Sequence, residues 1–223
     1  IRDRYQNHLE EMVASQVAEM TRMQDEVITG IANLIESRDG STGLHVKNTQ
    51  NYVQILTKAL REKGMYPDIL DHNYELNTVK ASVLHDIGKI KTPDAILLKP
   101  GRLTDEEFEV MKQHTVAGCE IIDRIIGNVE HEEYVDIARK IARYHHERWD
   151  GTGYPDGLSG EEIPLCARIM ALADVFDALY QDRCYKKAIR PASKVFEIIK
   201  ENSGSQFDPN LTEIFLELQR EIT

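Results

Sequence analysis

The apolar residues of this chain recur three and four positions apart from end to end, and no stretch alternates apolar and polar residues convincingly with a period of two. Alternation is what a half-buried strand requires, whereas three-four spacing lays apolar groups along one side of a helix. The chain is therefore expected to be all-α, its core formed where helices press their apolar stripes together.

The first helix predicted is unusually long. Residues Ile1 to about Asn33 contain no proline and a single glycine, Gly30. Val13, Val17, Met20, Gln24, Val27, Ile31 and Leu34 alternate spacings of four and three, a heptad-like seam with one polar interruption. Two arrangements accommodate such a seam. One is an amphipathic helix packed on its own domain; the other is a parallel coiled coil that pairs two copies and joins this piece to an upstream domain. The expected division is a linker helix over residues 1–24 and a compact domain over 25–223. The charged start at Ile1 reads as a cut from a longer protein.

Further along, Ser37 to Gly43 is a polar break, and His45, Val46, Tyr52, Val53, Leu56 and Leu60 follow with helical spacing. Leu76–Leu84 is a predicted helix that runs into His85-Asp86-Ile87-Gly88-Lys89. Thr104 is a predicted N-cap, with Asp105, Glu106 and Glu107 in the first turn, where the helix dipole favours acids. Two helices are expected after it, Phe108 to about His114 and Gly118–Ile126, and another over Glu130–His146. Leu165–Tyr180 is strongly apolar and reads as buried, yet contains Asp174 and Asp177. Ala192–Lys200 and Leu211–Leu218 close the chain.

Composition excludes several functions. No apolar run approaches the ~20 residues of a membrane span, and the charged segment from Ile1 to Glu11 is no signal peptide. Three scattered cysteines, Cys119, Cys166 and Cys184, fit reduced thiols in a cytoplasm and rule out a cysteine zinc site. A formal net charge of −11 argues against DNA binding through a basic surface. An anionic substrate would need bound cations to neutralise it.

The residues for such cations are present. His145 and His146 run directly into Gly151-Thr152-Gly153-Tyr154-Pro155-Asp156-Gly157, a pair of ligands backed by a shaped loop. His85-Asp86 sets an imidazole beside a carboxylate whose two oxygens can bridge two ions. Asp174 inside an apolar helix is costly unless paired or metal-bound. With His45 and His114 the candidates are five imidazoles and two carboxylates, more than one tetrahedral zinc needs. The set fits two divalent ions, iron or manganese before zinc, nickel or cobalt, because no thiolate is among the donors. His145 and His146, about 100° apart on a helix, need not serve the same ion. Asp177 is expected to form a helix salt bridge, with orientation of a ligand as the other role.

His85-Asp86-Ile87-Gly88-Lys89, the run His145 to Pro155, Ala171 to Leu179 and Gln206-Phe207-Asp208-Pro209 together resemble the HD-GYP family of cyclic-dinucleotide phosphodiesterases, a branch of the HD metal-hydrolase superfamily. The resemblance covers about Asp25 to Leu218 and implies an HD-domain helical bundle. It implies hydrolysis of cyclic di-GMP to pGpG, sometimes on to GMP. His45, His85, Asp86, His114, His145, His146 and Asp174 would be the metal ligands, with Asp86 bridging. Lys89 would touch the scissile phosphate and Arg183 and Lys186 would hold phosphates. Gly153, Tyr154 and Pro155 would shape the pocket and a surface for GGDEF-type partner domains, and a receiver domain would precede the linker helix. Family members with three ions resemble Glu-Thr-Gly-x-His where this chain has Ser41-Thr42-Gly43-Leu44-His45; Ser41 is a poor ligand, so two ions are expected. Asn48 stands where the family often has arginine, and Cys184 where proline is usual. Other outcomes of the same resemblance are a hydrolase of pGpG or another cyclic dinucleotide, and a low-activity sensor or adaptor acting through partner proteins.

Overall fold

A computed structural model describes residues 2–39, 44–127, 132–181 and 188–223. Ten α-helices account for most of them: α1 (Arg2–Glu36), α2 (His45–Glu62), α3 (His72–Ala81), α4 (Asp94–Leu97), α5 (Asp105–Ile126), α6 (Glu132–Tyr144), α7 (Leu165–Tyr180), α8 (Ala192–Glu201), α9 (Pro209–Glu217) and α10 (Gln219–Ile222). Short 3-10 turns cover Ser37–Asp39, Ser82–Leu84, Ile87–Lys91 and Gly160–Glu162, and there is no strand among the described residues. No helix among them is long and apolar enough to cross a membrane.

The axis of the bundle is α7. Every residue from Leu165 to Ala173 is buried, as in a helix surrounded by protein, and the helix packs on α2 and α6, with α8 and α9 against its far end. Phe176 is fully buried there and meets the rings of Tyr52, Phe196 and Phe215 at centroid distances of 5.0, 5.1 and 5.3 Å. That one side chain ties α7 to α2, α8 and α9. Val53, Leu56 and Leu60 of α2 and Ile137, Ala138 and Ile141 of α6 close the core from the other sides. Burying each large side chain stabilises the fold by about 1.5–3 kcal/mol relative to exposure.

Thr104 caps α5 with a full capping box: its hydroxyl accepts from Glu107 N, and Thr104 N donates to the Glu107 carboxylate at 2.8 Å. The sequence reading divides this segment in two, but α5 is one helix. Gly118 does not break it; it makes room. A Cβ on Gly88 would lie 1.8 Å from His114 O, and one on Gly118 would lie 3.3 Å from Ala142 Cβ. The glycine pair lets the 3-10 turn that follows Asp86 settle onto α5 beside His114. α6 also differs from expectation, since it ends at Tyr144 and His145 and His146 occupy the turn beyond it.

Among the described residues the helix α1 meets the body from Asp25 onward: Asp25 pairs with Lys80 of α3 at 3.0 Å, and Ala32, Ile35 and Glu36 in its last turns are buried. The seam from Val13 to Leu34 does not face the domain. Val17, Met20 and Leu34 are 59%, 65% and 70% exposed. Packing of that seam on its own domain is therefore excluded, because the buried face is the adjacent stripe through Ile28, Ala32, Ile35 and Glu36.

Candidate metal centre

Five elements aim polar side chains at one point. His45 opens α2, His85 and Asp86 stand between two 3-10 turns, His114 lies in the middle of α5, His145 and His146 follow α6, and Asp174 is on α7. His45, His85, Asp86, His114 and His145 are each at most 6% exposed, while His146 and Asp174 are partly covered.

Four of the imidazoles are locked in the same sense. His45 Nδ1 lies 2.7 Å from Asp177 Oδ2, His85 Nδ1 2.8 Å from Ser82 O, His114 Nδ1 2.7 Å from Met111 O and His145 Nδ1 2.9 Å from Ile141 O. These oxygens only accept, so each ring carries a proton on Nδ1 and turns Nε2 inward, the atom left to bind a cation or, on His85, a second proton. The Nε2 atoms converge on the carboxylates. Asp86 Oδ1 is 3.2 Å from His114 Nε2 and 3.5 Å from His145 Nε2, and Asp86 Oδ2 is 3.3 Å from His85 Nε2. His45 Nε2 is 3.3 Å from His85 Nε2 and 3.4 Å from Asp174 Oδ1.

Donor atoms thus gather into two neighbouring groups: Asp86, His114, His145 and His146, and His45, His85 and Asp174, each within 4.8 Å of one another. The two oxygens of Asp86 face different histidine neighbours. His145 and His146 fall in the same group, contrary to their separation on an ideal helix, because the chain leaves the helix at Tyr144 and tilts the two rings to 4.1 Å between centroids. Asp86 Oδ1, His114 Nε2 and His145 Nε2 are buried, close together and make no hydrogen bond. Three inward acceptors without a proton between them fit divalent cations, and a set of imidazole nitrogens and carboxylate oxygens suits that use.

The electrostatics agree. Burial opposes charge on Asp86, but the Lys89 ammonium and His85 outweigh it and hold its carboxyl well below the usual range. Asp174 is likewise held low against its burial by His45 and His85. Burial pushes His145 and His146 below the ordinary histidine value, keeping them neutral and able to ligate. On His85, burial is overcome by Asp86 and Asp174, which raise it to about 9, so a cation there competes with a proton.

Asp177 corrects the sequence reading. Among the described residues it forms no helix salt bridge; its Oδ2 orients His45 and its Oδ1 accepts from Asn48 Nδ2 at 3.0 Å. Asn48 therefore has a structural task in place of arginine. Glu147, which the sequence reading passes over, holds the glycine loop: its carboxylate accepts from Asp156 N, Gly157 N and Leu158 N at 2.8, 3.1 and 3.1 Å. Gly153 passes so close to Glu147 that a Cβ would lie 2.5 Å from Glu147 Cα. Tyr154 stacks on His146 at 4.9 Å, and Pro155 follows it through a cis bond. A cavity of about 230 Å³ opens beside His145 and His146, lined by Phe108, Arg148, Tyr154, Val175 and Gln206 among others. Lys89 Nζ reaches Asp86 Oδ2 at 2.7 Å. Arg183, Lys186, Ser41 and Cys184 lie outside the described residues.

A cyclic di-GMP phosphodiesterase of Vibrio cholerae is 46% identical over 204 residues, covering 90% of this chain and 41% of that protein. One from Thermotoga maritima is 41% identical over 198 residues, covering 89% and 50%. The chain therefore spans half the length of these relatives or less. Among solved structures, an HDG"Y"P protein from Bdellovibrio bacteriovorus superposes with a TM-score of 0.58 at 17% identity, covering 91% of this chain and 64% of the other, which shows the shared fold. The HD domain family is matched over residues 7–211, nearly the whole chain, and on that match the protein belongs to the HD-domain family.

Proposed function

We propose that the chain is the catalytic part of a metal-dependent phosphodiesterase that hydrolyses cyclic di-GMP to pGpG. The observation that carries the reading is the set of four imidazoles with Nδ1 tied back and Nε2 turned toward Asp86 and Asp174. His45, His85, Asp86, His114, His145, His146 and Asp174 would hold two divalent ions, iron or manganese. Such ions supply a water of lowered pKa and neutralise phosphoryl charge. Asp86 joins the two ligand groups and fixes their spacing. Lys89 donates to a phosphoryl oxygen as charge builds there. Arg183 and Lys186 hold the remaining phosphate, and Tyr154, braced by His146, walls the pocket with Gly153 and Pro155.

The relatives' names support this substrate, and their greater length supports further domains in the whole protein; a receiver before the linker helix is the one the family resemblance implies. The linker over residues 1–24 would pair with a second copy through the Val13–Leu34 seam, with the catalytic domain over 25–223. GGDEF-type domains would dock at the Gly153–Pro155 loop, and the setting is the cytoplasm.

The test is turnover of cyclic di-GMP by protein loaded anaerobically with iron or manganese, against a His85→Ala/Asp86→Ala control. Linear dinucleotide from the parent and none from the control is expected. Equal, near-zero rates in both would overturn the enzyme reading in favour of an adaptor.

A further inference from the structure

We infer that Glu36 is a positioning residue for Lys89, and that the Lys89 ammonium is the centre's third cationic group, standing on carboxylates where a third ion would otherwise sit. The inference rests on the phosphodiesterase reading above. Glu36 ends α1 and is 2% exposed. With His45 and Asp86 it offers donor atoms within 4.8 Å of one another, a set that by itself has the composition of a cation site. A cation is already among them. Lys89 Nζ stands 3.1 Å from Glu36 Oε1 and 2.7 Å from Asp86 Oδ2. A divalent ion on those same carboxylates would face the ammonium at contact distance and be repelled by it.

An ammonium is a point charge on a flexible four-carbon stem. Asp86 and Glu36 hold it from two directions, and Glu36, itself buried, helps fix where it points. The backbone is held from the same side. Arg38, two residues after Glu36, donates to the carbonyls of Lys89, Ile90 and Thr92 at 3.3, 3.2 and 3.3 Å and to Asp94 Oδ1 at 2.6 Å. The end of α1 and the turn after it therefore grip Lys89 by both main chain and side chain. A donor fixed before the reaction stabilises developing phosphoryl charge without reorganising.

The test uses metal-loaded protein in five forms: parent, Glu36→Gln, Glu36→Asp, Lys89→Met and the Glu36→Gln/Lys89→Met double variant. Metal content per chain is measured by elemental analysis, orthophosphate affinity by calorimetry, and kcat and KM with cyclic di-GMP. The expected result is equal metal content throughout. Glu36→Gln lowers kcat/KM about tenfold, with the same division between kcat and KM as Lys89→Met. The double variant is no worse than Lys89→Met alone, because two residues acting through one group are not additive. Glu36→Asp, which keeps the charge but withdraws it by one methylene, shows an intermediate loss and carries the test should Glu36→Gln fold poorly. Loss of one ion per chain in Glu36→Gln would make Glu36 a ligand and overturn the inference, as would multiplicative losses in the double variant. If the parent turns over no cyclic di-GMP, the functional reading fails, and the orthophosphate affinities decide the role of Glu36 by the same pattern.

Discussion

Two regions of this molecule reverse the usual arrangement of inside and outside. At the centre, His85, Asp86, His114 and His145 are 0%, 6%, 3% and 2% exposed, polar groups in the deepest part of the bundle. Along α1, Val17, Met20, Met23 and Val27 are 59%, 65%, 59% and 57% exposed, apolar groups in water. The remedies differ in scale. The imidazoles have their Nδ1 atoms satisfied within the chain, so small cations would be enough to complete them. The stripe on α1 is more than 20 residues long, and only another surface of similar length covers it. On the function proposed above, ions would finish one region and a second chain the other, and perturbing either should leave the other intact.

The largest effect expected is on the stripe. Val17→Lys/Met20→Lys removes four apolar side chains from a two-stranded pairing, roughly 6 kcal/mol at about 1.5 kcal/mol each. Sedimentation at micromolar concentration should show dimer for the parent and monomer for the variant, with unchanged metal content. A monomeric parent would break the comparison from the α1 side. Metal removal comes next. Ions present at 100 to 1,000 times their dissociation constant stabilise the fold by about 2.7–4.1 kcal/mol. Chelation should then lower Tm by about 5–15 °C, while association through α1 persists. If chelation also dissociated the dimer, the two regions would be coupled rather than separate.

How far the sequence anticipates these regions depends on whether the cause is local. Helices come from periodicity, and their stripes are legible residue by residue; the seam on α1 is visible in the spacing of Val13, Val17 and Met20. Which of its two uses applies is not, because that depends on where α1 leaves the body. Glu36 carries one faint signal, its place four residues after Ala32 and eight after Ile28 on the buried stripe, but its partner Lys89 is 53 positions away. The division of α5 fails for the same reason: Gly118 reads locally as a break, whereas its need arises from Gly88 packing against it. Among site residues, the histidines and Asp174 stand out because such groups are costly to bury in apolar helices. Glu147 is silent, since its partners are backbone N–H groups that no side-chain pattern advertises.

Asp177→Asn sharpens the comparison from the inside. An amide keeps the shape but can turn its NH₂ toward His45 Nδ1, favouring the tautomer with the proton on Nε2, the atom that faces the centre. Supporting groups of this kind are worth about 10- to 100-fold in metal affinity or activity. Metal titration of the apoprotein should show that loss, with helix content by circular dichroism unchanged. An affinity equal to the parent's would mean that His45 is oriented by packing alone.

The smallest effect expected is at the rim, where Arg143 clasps Asp156. The guanidinium donates through Nε at 3.0 Å and Nη2 at 2.7 Å, tying the glycine loop to α6 just before His145. The Arg143 hydrogen bonds hold the Asp156 carboxyl below its ordinary value. A depressed carboxyl contributes stability above its unfolded pKa, about 3.9, and the contribution disappears as pH falls through the folded value. The side chains are 28% and 36% exposed, so screening limits the pair to under about 1 kcal/mol. Asp156→Asn should accordingly lower the Tm of metal-free protein by at most about 2–4 °C at pH 7. That gap should narrow between pH 5 and pH 3 and shrink in high salt. The loop should nevertheless stay closed, because Asp156 donates to Glu147 through its backbone N–H, which the substitution leaves in place. A larger loss, or one independent of pH, would make this clasp part of the buried centre's support and move the border between the two regions outward to the loop.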